Sequence, residues 1–393
     1  MTGLHTFESE PRAFKIQVAQ SDVDDLRARL ERTRWPPVDP VPDDYTEDEL
    51  RTMFGCGHGP TLKLTKELVA QFKDEYDWRK TEQELNKLPH FKVAIEGLDV
   101  HFIHQRSERP DAIPLIAIHG WPGSFDEFVD IIPLLTHPPS ETDQAFHVVV
   151  PSQPGFTFSD PPKSNKHTMD DTARMFDKLM TGLGYATYAA QGGDWGSVTA
   201  RLLGSTHKDH CKAVHLNFLP VLNPLMKVVP PRLLVKYLPN FVLPPLERER
   251  ATRALDYLDK GSAYYVMQHN TPRTPAFALN DSPVGLLAWI AEKMISYIDT
   301  AAQVTDKPTL TRKSLFDHVA LYWFKLVADP KYYLPNLAVS IFPWEIVVSN
   351  LRDMRRTGNI KWHKEAPQGG HYAALENPQI LAEHLRDAFK TIW

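Results

Sequence analysis

The chain has almost no cysteine and no long apolar segment. Its 393 residues include only Cys56 and Cys211, too few for a disulfide framework, so we expect a protein of a reducing, cytoplasmic compartment. Nowhere do about 18 apolar residues follow one another, and residues 1–11 are polar. Both observations argue against a spanning helix, a membrane anchor and a signal peptide.

A concentrated positive charge is also missing. The 44 Lys and Arg residues and the 49 Asp and Glu residues give a net charge of −5 and are spread along the chain. Without a basic stripe, the sequence offers no electrostatic footprint for a nucleic acid. We therefore expect a small molecule as the partner.

What the chain does contain is an alternation of short apolar runs with amphipathic stretches. The runs at 113–118, 146–150, 188–190 and 213–218 suit strands buried on both faces, and residues 170–183 have helical periodicity. Alternating strands and helices are typical of a mostly parallel sheet. The sequence therefore predicts an α/β fold with a mostly parallel central sheet.

Two segments depart from this alternation. Residues 1–90 contain a predicted helix followed by a proline-rich stretch, and we interpret them as a meandering N-terminal extension. Residues 219–333 begin with a proline-rich stretch and continue as helical, aromatic-rich sequence, which favours an inserted helical lid. Residues 91–218 and 334–393 are then the first and second parts of one core.

The sequence at 191–196, QGGDWG, predicts a nucleophile. It follows an apolar run and precedes a predicted helix, and glycines stand two positions before and after Asp194. Such a strand-to-helix turn exposes its central side chain at the end of the sheet. A carboxylate there can attack an electrophilic carbon without a base to deprotonate it. The alternative is a tight turn in which Asp194 caps the helix.

A nucleophile of this kind requires an acid and a histidine later in the chain. His371 lies in a glycine-rich loop before the last predicted helix and fits the base, although most single histidines are structural or superficial. Glu345 follows the predicted strand at 337–342 and is our choice for the acid. Asp353, in a charged stretch, is the rival.

An enzyme that hydrolyses an ester also needs backbone N–H donors for the oxyanion. Trp195, directly after the nucleophile, supplies one of them. Trp121, in the sequence HGWPGS at 119–124 directly after an apolar run, supplies the second. The alternative for this loop is an ordinary glycine-proline turn.

Four motifs carry a resemblance to a known family. They are 119–124 (HGWPGS), 151–156 (PSQPGF), 192–197 (GGDWGS) and 369–376 (GGHYAALE). Together with an N-terminal part that contains DLRARL, TRWP and DWR, they resemble the epoxide hydrolase family of the α/β-hydrolase fold, in its fungal and microsomal-type branch. The resemblance covers nearly the full length. It implies this fold, hydrolysis of an epoxide, and no metal or organic cofactor.

The resemblance also implies two lid tyrosines that protonate the opening ring. A phenol suits this role because its O–H donates a hydrogen bond that strengthens as charge develops on the acceptor. The family pattern matches Tyr265, with Tyr264 as the adjacent alternative. The second tyrosine is Tyr332 or Tyr333, with Tyr332 preferred. The stretch 322–345 is shorter than in the family, so the position of the second tyrosine stays open between Tyr332 and Tyr333.

These residues predict a two-step hydrolysis of an epoxide to a vicinal diol. Asp194 attacks a ring carbon and forms a covalent ester, and water activated by His371 and Glu345 releases the diol. The apolar side chains of the lid predict an apolar epoxide as the substrate. The proline-rich, apolar stretch 228–246 either packs against the core of its own chain, which we prefer, or packs on a second copy and makes the protein a homodimer.

Two other functions use part of the same set. A haloalkane dehalogenase shares the Asp nucleophile and often carries a following Trp, such as Trp195, that holds halide. The N-terminal extension and the lid tyrosine argue against it. A protein that binds hydrophobic ligands without turnover would keep the pocket, but it would not need a complete catalytic set.

Overall fold

A nine-stranded sheet organises the part of the chain that the computed structural model describes. That part comprises residues 4–39, 59–164, 166–220, 231–240, 243–298, 311–324, 334–346, 354 and 358–393. The strands are β1 (Arg12–Phe14), β2 (His90–Ile95), β3 (Leu98–Gln105), β4 (Ile113–Ile118), β5 (Phe146–Pro151), β6 (Tyr188–Gly192), β7 (Cys211–Leu216), β8 (Leu334–Ile341) and β9 (Gly358–Glu365).

The sheet is antiparallel at one end and parallel through the rest. Its order is β1-β2-β3-β5-β4-β6-β7-β8-β9. Strands β4 to β9 pair in parallel, and β1, β2 and β3 extend the sheet beside β5 by antiparallel pairing. This topology confirms the predicted α/β fold with a mostly parallel sheet.

Helices cover both faces of the sheet. The described α-helices are α1 (Gln20–Glu31), α2 (Leu62–Asp74), α3 (Trp78–Leu85), α4 (Ile132–Thr136), α5 (Met169–Gly182), α6 (Asp194–Thr206), α7 (Pro231–Tyr237), α8 (Pro245–Asp256), α9 (Ala263–Asn270), α10 (Arg273–Asp281), α11 (Pro283–Ser296), α12 (Arg312–Trp323), α13 (Ala373–Glu376) and α14 (Pro378–Ile392). A 3-10 helix, Phe125–Phe128, follows β4, and a π-helix, Tyr257–Gly261, joins α8 to α9.

Strand β4 shows why the central strands are uninterrupted apolar runs. Leu115 and Ala117 belong to one hydrophobic cluster, Ile116 and Ile118 belong to the other, and all four are buried. Side chains alternate across a strand, so a strand covered on both faces needs apolar residues at every position. Full burial of one Leu or Ile side chain contributes roughly 1.5–3 kcal/mol.

The N-terminal extension braces the helices between β7 and β8. Helix α11 contacts α1 and α2, and the rings of Phe72 and Phe316 stack with their centroids 4.9 Å apart. The hydroxyl of Tyr76 donates a hydrogen bond to Asp317 Oδ1 at 2.9 Å. These contacts fix α12 on the extension. The order of segments follows the predicted one, and the boundaries between the predicted domains stay predictions.

The carboxyl ends of the parallel strands meet at one edge of the sheet, where ligands bind in open α/β folds. The loop 119–124 follows β4, Asp194 follows β6, and Glu345 follows β8. His371 comes after β9, a strand that the sequence analysis does not predict. Its sequence, GNIKWHKE, is polar because β9 lies at the end of the sheet and exposes alternate side chains.

Candidate active site

Asp194 lies at a sharp turn between β6 and α6. Its φ is 44°, in the left-handed region that non-glycine residues rarely adopt. The turn leaves no room for neighbouring side chains: a Cβ on Gly192 would lie 2.1 Å from Gly196 O, and one on Gly196 would lie 2.0 Å from Ile118 O. The glycines around Asp194 therefore permit an elbow that presents the carboxylate.

The two carboxylate oxygens of Asp194 face different partners. Oδ1 accepts a hydrogen bond from the Trp121 N–H at 2.7 Å, and Oδ2 lies 3.5 Å from Nε2 of His371. The carboxylate therefore bridges the loop after β4 and the loop after β9. It does not act simply as a cap on its own helix.

Glu345 orients His371 from the opposite side of the ring. Its Oε1 lies 2.5 Å from Nδ1 of His371, and both side chains are buried. The backbone fixes the same contact, because Trp344 N–H donates to Gly369 O at 3.0 Å and His371 N–H donates to Tyr297 O at 3.1 Å. The first of these bonds joins the loops that carry the acid and the histidine, and the second joins the histidine loop to the end of α11.

The two flanking carboxylates determine the charge of His371. Burial alone would lower the pKa of this histidine, but the charge of Glu345 and the hydrogen bonds to Asp194 and Glu345 raise it well above the ordinary value of 6.5. The two neighbouring carboxylates therefore favour the protonated, imidazolium form of His371.

A small cavity joins these groups. It measures about 20 Å³ and is lined by Asp194, His371, Trp121, Glu127 and Asn217, among others. A cavity of roughly 10–15 Å³ is enough for one water molecule. The Trp195 N–H lies in the first turn of α6, where amides have no intrahelical acceptor. The Trp121 and Trp195 amides therefore flank the nucleophile at a site with room for one water.

Comparison with known proteins places this arrangement in a family. Residues 11–128 match the family model described as epoxide hydrolase N terminus, and residues 113–244 match the model of the alpha/beta hydrolase fold. Epoxide hydrolase 1 of Oryctolagus cuniculus is 32% identical over 413 residues, which cover 95% of this chain and 87% of that protein. The chain belongs to the epoxide hydrolase family.

Solved structures of epoxide hydrolases have the same fold. The Aspergillus niger epoxide hydrolase superposes with a TM-score of 0.83 at 31% identity, over 99% of this chain and 98% of that one. The juvenile hormone epoxide hydrolase of Bombyx mori, at 24% identity, has a TM-score of 0.83 and shows the fold alone. Both likenesses confirm that this epoxide hydrolase has the α/β-hydrolase fold.

Of the two adjacent lid tyrosines, the structure brings Tyr264 to the catalytic loops. Its ring stacks on the indole of Trp121 with centroids 4.8 Å apart, and its hydroxyl lies 3.1 Å from that of Tyr257. Tyr265 is 40% exposed and stacks on Trp195 with centroids 6.1 Å apart. The geometry thus favours Tyr264, which the sequence analysis holds only as the alternative.

The environment keeps Tyr264 protonated. Burial raises its pKa well above the ordinary value of 10, and nearby Tyr257, Tyr297 and Asp194 raise it further. A neutral phenol is the form that can donate a proton. Tyr332 and Tyr333, the predicted second acid, and Asp353, the rival to Glu345, lie outside the described residues, so their roles stay predictions.

Sequence analysis missed Glu127 in the 3-10 helix after β4. Its carboxyl lines the cavity, and its Oε1 fills the space beside Gly123, because a Cβ on that glycine would lie 1.4 Å away. Burial raises the pKa of Glu127 to about 8, with the His371 charge opposing the shift and the Asp194 charge adding to it. A carboxyl five residues after the HGWP sequence belongs to no recognisable motif, and only the turn of the short helix brings it inward.

Two further observations concern the predicted partners. Among the described residues, no group of three or more His, Cys, Asp or Glu side chains could hold a metal ion. No described helix is long and apolar enough to cross a membrane.

Proposed function

We propose that this epoxide hydrolase opens its substrate through a covalent ester on Asp194. The proposal rests on the different contacts of the two carboxylate oxygens of Asp194. Oδ1 already accepts the Trp121 N–H, while Oδ2 faces the cavity beside His371. Attack by Oδ2 would therefore leave Oδ1 as the ester carbonyl oxygen, already bound to an oxyanion donor.

In the first step, Oδ2 of Asp194 bonds to a ring carbon and the C–O bond of the ring breaks. The ring oxygen takes a proton from Tyr264, the neutral phenol that stacks on Trp121. A carboxylate is already charged, so this attack needs no base. The products are an ester on Asp194 and a neighbouring hydroxyl.

In the second step, His371 removes a proton from water, which attacks the ester carbonyl. Esterification removes the charge of Asp194, one of the causes that raise the His371 pKa. His371 can then give up its proton, which returns to the phenolate of Tyr264. The neutral His371 is the base that takes a proton from the attacking water. The Trp121 and Trp195 amides hold the oxyanion. Its collapse breaks the bond between the Asp194 carbonyl carbon and the substrate oxygen, and that oxygen takes the proton of the newly formed carboxylic acid, so that the diol leaves, Asp194 is again a carboxylate and His371 keeps the proton taken from water.

We further propose that the substrate is an apolar epoxide. The edge of the His371 ring meets the rings of Phe218 and Tyr297, with centroids 5.4 Å and 6.1 Å away. With Trp121, Trp195 and Tyr264, these rings offer apolar surface around the nucleophile. Formation of a homodimer through 228–246 and a cytoplasmic location stay predictions.

Isotope labelling tests the covalent mechanism. A single turnover in oxygen-18 water should place one label in the Asp194 carboxylate, because water attacks the ester carbonyl and not the substrate carbon. Mass spectrometry of the peptide that contains Asp194 measures it, with enzyme incubated in labelled water without substrate as the control. Label that enters only the diol in a single turnover would show that water opens the ring directly.

A further inference from the structure

Lys293 is a buried cation whose position the catalytic steps above do not explain. It lies on α11 and its side chain is 1% exposed. A buried lysine needs partners, because an ammonium ion loses its hydration when it leaves water. Glu292 supplies one of them, with its Oε2 3.0 Å from Nζ of Lys293.

The other partners of Lys293 are aromatic rings, and one belongs to Tyr264. Nζ lies over the Trp289 ring at 4.4 Å from its centroid and over the Tyr264 ring at 4.9 Å. Both distances are within the roughly 6 Å over which a cation is attracted to a ring face. The ring that stacks on Trp121 thus also contacts an ammonium group in a buried environment.

A cation in this place acts most strongly on the ionised phenol. The Tyr264 oxygen gains negative charge as its proton moves to the ring oxygen of the substrate, and a nearby positive charge stabilises that gain. Electrostatic interactions of this kind are stronger where water is excluded. Burial lowers the pKa of Lys293 from its ordinary value of 10.5, and the charge of Glu292 and its hydrogen bond oppose this shift.

We infer that Lys293 is a positioning residue for ring opening, acting through the Tyr264 ring, where it stabilises the negative charge left when Tyr264 donates its proton. The inference rests on the proposed role of Tyr264 as the acid. It assigns Lys293 to the first chemical step alone. Hydrolysis of the Asp194 ester should not depend on it.

The test replaces the charge while keeping a side chain of similar length. Lys293→Met should slow ester formation about tenfold or more in single-turnover stopped-flow experiments, and ester hydrolysis should change less than about twofold. Lys293→Arg, which keeps the cation, should restore most of the rate. Lys92→Met is the matched control, because Lys92 also lies over a ring, that of Phe14 at 5.1 Å, on a strand away from the site.

A second measurement separates electrostatics from packing. An epoxide that opens to a weakly basic alkoxide, such as 1,1,1-trifluoro-2,3-epoxypropane, needs less help from an acid than 1,2-epoxypropane does. Lys293→Met should therefore slow the trifluoro substrate less. If Met does not fold at this position, Lys293→Gln makes the same comparison.

A double-mutant cycle with Tyr264→Phe decides whether Lys293 acts through Tyr264. In the Tyr264→Phe background, Lys293→Met should add no further loss of ester formation. Equal slowing of both steps, equal slowing of both substrates, or additive losses in the cycle would each overturn the inference. If Tyr264→Phe itself leaves ester formation unchanged, the proposed acid is wrong. If it slows that step while Lys293→Met does not, only the role of Lys293 fails.

Discussion

The two sides of the active site are built in different ways. The sheet side carries Asp194, Glu345 and His371 on loops that follow parallel strands, and backbone hydrogen bonds tie two of these loops together. The lid side carries Tyr264 on the short helix α9, where contacts with other rings, a hydroxyl and an ammonium group hold it. The sheet fixes the three residues of one side, and side-chain contacts hold Tyr264 on the other.

This difference coincides with a division of the chemistry. In the proposed mechanism, the sheet side supplies the nucleophile and the groups that hydrolyse the ester, whereas the lid side supplies the acid for ring opening. A defect on the sheet side beyond Asp194 should therefore slow ester hydrolysis. A defect on the lid should slow ester formation. Separate measurements of ester formation and ester hydrolysis therefore test whether the two sides divide the chemistry in this way.

The largest effect is expected from His371→Gln. Without the base, turnover should fall by about 10⁴–10⁶-fold, the range seen when a catalytic histidine or its partner is removed. Asp194 can still attack, so the variant should accumulate an adduct with the added mass of one substrate. Intact-protein and peptide mass spectrometry measures the adduct. If the variant carries no adduct after incubation with a large excess of a good epoxide, the assignment of Asp194 to ester formation and of His371 to ester hydrolysis is wrong.

Glu345→Gln should have the next largest effect. It removes one of the charges that raise the His371 pKa and replaces the charged acceptor of the His371 ring by a neutral amide, whose NH2 group can face the ring in place of its oxygen. Ester hydrolysis should slow by about 10²–10⁴-fold, and ester formation should change far less. Stopped-flow tryptophan fluorescence can follow both steps, because Trp121 and Trp195 adjoin Asp194. Equal slowing of the two steps would count against Glu345 as the acid that orients His371 and would favour Asp353.

Tyr264→Phe tests the lid side. Loss of one hydrogen-bond donor to a developing oxyanion costs about 10²–10³-fold in rate, so ester formation should slow by about 10²-fold while hydrolysis of the ester is kept. Tyr265→Phe is the matched control on the same helix, and its effect should stay within a few-fold. If Tyr265→Phe slows ester formation more than Tyr264→Phe does, the acid is Tyr265, the residue that the family pattern matches.

The smallest effect concerns Glu127 and is a change of stability with pH. Its pKa is raised from the ordinary 4.5 to about 8, so the unfolded chain releases this proton at lower pH than the folded protein does. Glu127 should therefore lower stability progressively as the pH rises from about 4.5 to about 8, and the loss should be complete above that. Glu127→Gln should flatten this decline. The melting temperature of the variant, measured relative to that of the wild type, should be a few degrees higher at pH 9 than at pH 5. If the stability of the variant declines with pH as steeply as that of the wild type, a group other than Glu127 causes the decline.

The residues of the sheet side can be predicted from the sequence, because their signals are local. Apolar runs mark the central strands since both faces are covered, and the glycines around Asp194 and His371 mark tight loops at strand ends. Chain order then pointed to Glu345, which the structure places 2.5 Å from His371. Strand β9 escaped prediction because an edge strand exposes alternate side chains and lacks an apolar run.

The arrangement of the lid side follows from tertiary contacts and not from a local pattern. Tyr264 and Tyr265 are neighbours on one helix, so no periodicity shows which of them stacks on Trp121 and which stacks on Trp195. Lys293 is some 30 residues further along and Glu127 lies far upstream, yet both come to the site through helix packing. Contacts between side chains distant in sequence carry no local pattern. The choice of acid, and the cation beside it, therefore depend on the fold.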